Sequence, residues 1–161
     1  MQKQSINFEI KIFESINELS QPVYNLMQGA INIKSKAYSP YSNFQVGAAL
    51  RLANTQVITG NNQENSSYPA GLCAERVALF YASANFPDQA IEMMALSASP
   101  LNKSNDQPVP PCGSCRQAIA EYEYKFNQPI EIYFMGDRGK VIAVTSIKTL
   151  LPLAFDQSFL K

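Results

Sequence analysis

The stretch Ser66–Phe80, SSYPAGLCAERVALF, sets Cys73, Glu75 and Arg76 within four residues, just where a helical pattern begins. Glutamate and arginine are rarely buried unless paired, so this is an unusual choice for a packed core. A second stretch, PCGSCRQ at Pro111–Gln117, opens another helix after a proline and puts Cys112 and Cys115 in its first turn. Between them runs AIEMMALSAS (Ala90–Ser99), with the apolar character of a buried strand. Helix, strand and helix in succession indicate layers of helices packed on a sheet.

The remaining chain extends this pattern. FQVGAALRL (Phe44–Leu52) and TQVITGN (Thr55–Asn61) read as neighbouring strands joined by a turn around Ala53–Asn54. IEIYFMG (Ile130–Gly136) and KVIAVTS (Lys140–Ser146) read as two more. Val23, Leu26, Met27, Ala30, Ile31 and Ala37 recur at helical spacing behind Ser20 and Pro22, with Pro40 as the stop. Ile6, Phe8, Ile10 and Ile12 alternate with polar residues as in a short strand, and Ser146 is placed to cap a last helix, IKTLLPLAF. The fold expected is a three-layer α/β/α arrangement around a mixed sheet of about five strands, with a short N-terminal extension. Residues 1–161 read as one domain with its core at about 19–155.

Composition narrows the function. Thirteen basic residues balance thirteen acidic ones, so no net charge draws the chain to DNA or RNA. No apolar run approaches the roughly 18 residues of a membrane span, and the N-terminus does not read as a signal peptide. A cytoplasmic protein is expected. Three cysteines are then thiols or metal ligands rather than a disulfide framework. Histidine is absent, which excludes Ser-His and Cys-His nucleophilic sites and removes the usual nitrogen ligand for a metal.

Cys73, Cys112 and Cys115 all fall at helix starts, where the helix dipole and free N–H groups favour a thiolate. Three thiolates with one open position suit a catalytic zinc better than a structural one, which takes four protein ligands. Such a site carries about −1 charge, a poor Lewis acid unless offset, and Arg76 is placed to offset it by donating hydrogen bonds to sulfur. Glu75, in the first helical turn, is placed to carry a proton beside the metal.

CAER at Cys73–Arg76 and PCGSCRQ at Pro111–Gln117 resemble the small, all-cysteine cytidine deaminases. The likeness runs from about Leu19 to Phe155 and takes in AYSPYSNFQVGAAL (Ala37–Leu50), GNNQEN (Gly60–Asn65) and LLPLAF (Leu150–Phe155). The resemblance implies one Zn²⁺ per chain on Cys73, Cys112 and Cys115, with Glu75 moving protons among water, N3 of cytosine and the departing amine. It also implies Phe44 against the pyrimidine, Asn62 and Glu64 on the ribose 3′-hydroxyl, a free-nucleoside substrate, no nucleic-acid or membrane partner, and a homotetramer. Deaminases of aminonucleoside antibiotics such as blasticidin are the nearest rival within this superfamily. The first 15 or so residues and the loop Leu101–Pro108 lie outside the resemblance.

Overall fold

The computed structural model describes residues 1–160. Its centre is one mixed sheet of six strands, β1 (Lys11–Phe13), β2 (Phe44–Leu52), β3 (Val57–Asn61), β4 (Ile91–Pro100), β5 (Glu131–Met135) and β6 (Val141–Val144). They lie in the order β1-β6-β5-β4-β2-β3. Only β4 and β5 run parallel; the other four pairings are antiparallel. The helices are α1 (Gln21–Lys34), α2 (Ala74–Asn85) and α3 (Gly113–Phe126).

Side chains alternate across each strand, so consecutive residues serve opposite faces of the sheet. Ala49, Ala95 and Met135 face one way and pack under Val23, Leu26, Met27 and Ala30 of α1. Ala48, Leu96 and Phe134 face the other way, under Ala78 and Leu79 of α2 and Ile119 and Ala120 of α3. That makes three layers. Two glycines allow the close approach. A Cβ on Gly47 would strike the Ala30 carbonyl oxygen on the α1 side. One on Gly60 would lie 2.7 Å from Ala74 O and Ala78 N on the α2 side.

Register decides where the site lies. Phe44 pairs with Pro100 and Gly47 with Asn61, so the start of β2 and the ends of β3 and β4 meet at one end of the sheet. Polypeptide leaving β3 and β4 there feeds the N-termini of α2 and α3, which brings the two cysteine-bearing stretches together.

Several elements differ from the sequence expectation. The sheet has six strands because the N-terminal extension adds β1, paired with β6 through Lys11↔Ala143 to Phe13↔Val141. Only three residues pair, although the alternation starts at Ile6. Helix α1 ends at Lys34 rather than near Ala37, tightening into bonds from Lys36 N to Ile33 O and from Ala37 N to Lys34 O. In place of the last helix there is one 3-10 turn, Ile147–Thr149, capped by Ser146 as expected. Pro152 follows closely; it has no N–H and holds the residue before it out of helical conformation. The loop Leu101–Pro108 is fastened to the β5–β6 turn. There Asp137 accepts hydrogen bonds from Ser104 Oγ and Asn105 N, and Asn105 Nδ2 donates to Ala98 O.

Candidate metal and nucleoside site

Cys73 is the N-cap residue of α2 and Cys112 that of α3, and neither side chain caps its helix by a hydrogen bond. Both thiols are thereby left free to face each other. Cys115 follows in the first turn of α3 and is fully buried. The three sulfurs lie within 4.8 Å of one another, and Cys73 Sγ is 3.9 Å from Cys112 Sγ. Two tetrahedral ligands, each about 2.3 Å from zinc, stand about 3.8 Å apart. The donor set fits. Among the described residues this is the one cluster of its kind.

Electrostatics agree with the spacing. Without metal the thiols share protons unevenly. The Cys115 thiol donates to Cys73, which with hydrogen bonds from Arg76 and Cys112 lowers Cys73 to about 5 against the cost of burial. Cys115 is pushed up by that same bond, by burial and by the charge of Glu75. Arg76 Nη2 reaches Cys73 Sγ at 3.8 Å and Gly71 O at 3.5 Å, and the thiolate raises the Arg76 pKa. Its Nε is a buried donor without a partner, aimed among groups that become more negative as the thiols ionise. Glu75 is 5% exposed, and burial first of all, then the charge on Cys73, raises its carboxyl pKa.

Cys73 and Cys112 open onto a cavity of about 670 Å³. Phe44, Asn62, Glu64, Cys73, Glu75 and Cys112 all line it, so residues spread over 69 positions in sequence share one wall system. Val46, Leu96, Ala98 and Val109 make its floor apolar.

The comparisons with known proteins decide the family. The family model described as cytidine and deoxycytidylate deaminase zinc-binding region matches residues 21–127. The chain belongs to the cytidine deaminase family. It is 40% identical to the cytidine deaminase of Halalkalibacterium halodurans over 130 residues, 81% of this chain and 91% of that one. It is also 40% identical to that of Mycoplasma genitalium over 126 residues, covering 78% of this chain and 89% of the relative. The crystal structure of the Burkholderia pseudomallei cytidine deaminase is similar at a TM-score of 0.73 and 36% identity, covering 85% of this chain and 100% of that chain.

As a cytidine deaminase family member, the chain has the α/β fold and the cysteine triad that the sequence implied. Asn62 and Glu64 are more constrained than the sequence suggested. Asn62 Oδ1 accepts from Val46 N at 2.8 Å and Asn62 Nδ2 donates to Phe44 O at 2.9 Å. Glu64 Oε2 accepts from Tyr41 N and Ser42 N, and Glu64 Oε1 from Ser42 Oγ. Sequence reasoning missed Ser42, which sits inside AYSPYSNF and shows no chemistry until its partner 22 positions away is in place. It also missed Arg116. That residue donates to Pro111 O and Leu150 O, and so ties the start of α3 to the C-terminal segment.

Proposed function

We propose that the protein catalyses hydrolytic deamination of cytidine and 2′-deoxycytidine to uridine and 2′-deoxyuridine, releasing ammonia, with one Zn²⁺ per chain on Cys73, Cys112 and Cys115. The observation that carries this reading is the shared cavity: two of the thiols, a buried carboxyl group and a polar clamp line one space. When bound, zinc supplies the Lewis acidity that makes water a nucleophile near neutral pH. Glu75 would take one proton from the attacking water onto its carboxylate and give it to N3 of cytosine; with the water oxygen bonded to C4, it would carry the water's second proton to the amine, which leaves C4 as ammonia. A carboxyl group whose pKa is raised by burial suits that exchange, because it holds and releases a proton closer to neutrality. Arg76 offsets the charge of the thiolates.

Phe44 packs against the pyrimidine in this reading. Glu64 and Asn62 take the ribose 3′-hydroxyl. Three of the roughly four acceptor sites on the Glu64 carboxylate are already filled by Tyr41 N, Ser42 N and Ser42 Oγ, which leaves Oε1 one free. Asn62 Nδ2 similarly keeps one N–H after bonding Phe44 O. One acceptor and one donor match a hydroxyl, which gives one hydrogen bond and accepts others. An esterified 3′-oxygen has no proton to give, so free nucleosides are substrates and polynucleotides are not.

Residues 1–161 are one domain in this proposal, with its core at about 19–155. The working assembly is a homotetramer, supported by family analogy and by the exposed apolar residues Phe80 and Tyr81 on α2 and Phe155 beyond it. A cytoplasmic setting suits three unpaired thiols. No helix among the described residues is long and apolar enough to cross a membrane. The test is the fall in ultraviolet absorbance on adding cytidine, run beside 3′-CMP, single-stranded DNA, RNA and an aminonucleoside antibiotic. Rapid loss with cytidine alone is expected. Turnover of an internal cytosine in an oligonucleotide, or of the antibiotic alone, overturns the reading. Sedimentation showing a fully active monomer overturns the tetramer.

A further inference from the structure

Ser42 stands where the two halves of the pocket meet. Its hydroxyl donates to Glu64 Oε1 at 2.5 Å and accepts from Phe44 N at 3.0 Å, while its own N–H donates to Glu64 Oε2 at 3.2 Å. Asn43, between Ser42 and Phe44, has φ of 54°, the left-handed region that asparagine tolerates better than most residues. That turn folds the chain back so that one hydroxyl can reach both an amide two residues ahead and a carboxylate from beyond β3. A serine hydroxyl has a single proton. Here it is spent on Glu64, so Oε1 is held with its remaining lone pair in a fixed direction.

We propose that Ser42 is a positioning residue for nucleoside recognition: it orients the Glu64 carboxylate toward the sugar, while the bond its hydroxyl accepts from the Phe44 amide fixes that hydroxyl in place. The proposal rests on the ribose reading of Glu64 given above. Three features of the pocket support it. Ser42, Phe44 and Glu64 all line the cavity. Phe44 is held at both backbone groups, its N–H by Ser42 and its carbonyl by Asn62, so each of its anchors is a residue that also serves the sugar side. The Ser42 hydroxyl is also the main influence holding the Glu64 carboxyl below its ordinary pKa, which keeps it an acceptor.

The experiment compares cytidine with 3′-deoxycytidine, which lacks the hydroxyl that Glu64 would receive, in wild type, Ser42→Ala and Ser42→Thr. Wild type should bind cytidine with the lower KM. Ser42→Ala should raise the KM for cytidine roughly tenfold, the effect of losing one hydrogen bond to a charged group. Its kcat and its KM for 3′-deoxycytidine should stay within about twofold of wild type. Ser42→Thr restores the hydroxyl and should restore the preference. An Ser42→Ala enzyme that keeps the whole wild-type preference overturns the positioning role. So does one whose KM rises equally for both substrates, since that marks a general loss of pocket structure. Equal KM values for the two substrates in wild type overturn the ribose reading of Glu64 itself, a result that cannot be confused with either of the others.

Discussion

Glu75 and Lys34 are both ionisable, both buried, and placed for different ends. Glu75 lies two positions past the first cysteine and is not among the three residues proposed to hold the metal. Glu75→Gln should therefore keep its zinc and lose at least the roughly 10²–10⁴ in kcat typical of a general acid–base group. Metal analysis and steady-state kinetics on the same preparation check this, and near-normal turnover would contradict the proton-carrier role. Lys34, 8% exposed at the end of α1, donates from Nζ to Ser99 Oγ at 2.9 Å. Burial lowers its pKa below 10.5, opposed by the charge of Asp137. Between the lowered value and 10.5 the unfolded chain holds the proton more firmly than the folded one, so stability rises with pH across that window. Denaturant titrations at several pH values should show wild type gaining on Lys34→Met through this interval and no further above it. A gap independent of pH would mean that Lys34 carries no such cost.

The two cysteine-bearing helices were legible because their punctuation is strong. Prolines precede both: α3 begins at Gly113, just behind Pro111, whereas the helix expected directly behind Pro69 with Cys73 inside it begins only at Ala74. Pro69 did not start α2. It sits in a separate 3-10 turn, Tyr68–Ala70, after which Gly71 returns the backbone to an extended conformation. What stayed hidden was chemistry between distant elements. Glu123, in the last turns of α3, belongs to no motif that the sequence singles out. In the fold it is 5% exposed and accepts from Ile130 N at 2.8 Å, Ile147 N at 2.9 Å and Ser146 Oγ at 2.7 Å. One carboxylate thus joins α3 to the entry of β5 and to the turn after β6. Glu123→Ala leaves two backbone donors buried without partners, at about 1–3 kcal/mol each. A fall of several kcal/mol in unfolding free energy is expected from urea denaturation, with Glu123→Gln intermediate, and an unchanged midpoint would show that water replaces the carboxylate at no cost. The bonds of Asn62 and Glu64 were hidden for the same reason, since residue type there gives no hint that both side chains are already pinned to the backbone of residues 41–46.

A metal held by the three cysteines would couple to the fold of the whole molecule. Cys73 and Cys112 stand at the starts of helices that pack on the same face of the sheet, so an ion shared between them clamps two long connections at once. A ligand that binds only the folded state stabilises it by RT ln(1 + [L]/Kd), about 4 kcal/mol at a thousandfold excess over Kd. Removing zinc with a chelator should lower the melting temperature by several degrees in wild type and leave Cys112→Ala, already metal-free, unmoved. A wild-type sample proven to have lost its zinc yet melting unchanged would show that the sheet and its two apolar layers hold the fold without the clamp.

Strand β1 has a different kind of consequence. It covers the outer edge of β6, whose sequence VIAV (Val141–Val144) carries no charge at all. Bare edges of that composition recruit strands from other molecules, and charged residues along an edge discourage the approach. The extension puts Glu9 and Lys11 beside Ala143 and Thr145, and a further ion pair, Lys140 to Glu14 at 3.1 Å, fixes its base. Deleting residues 1–14 should leave turnover nearly unchanged, because no residue lining the pocket comes from β1, β6 or β5. The shortened protein should instead scatter light sooner on warming and lose soluble yield. If it stays as soluble as the full chain, β6 needs no cover. If it does not, the segment that takes no part in the chemistry is what keeps the enzyme from becoming a fibre.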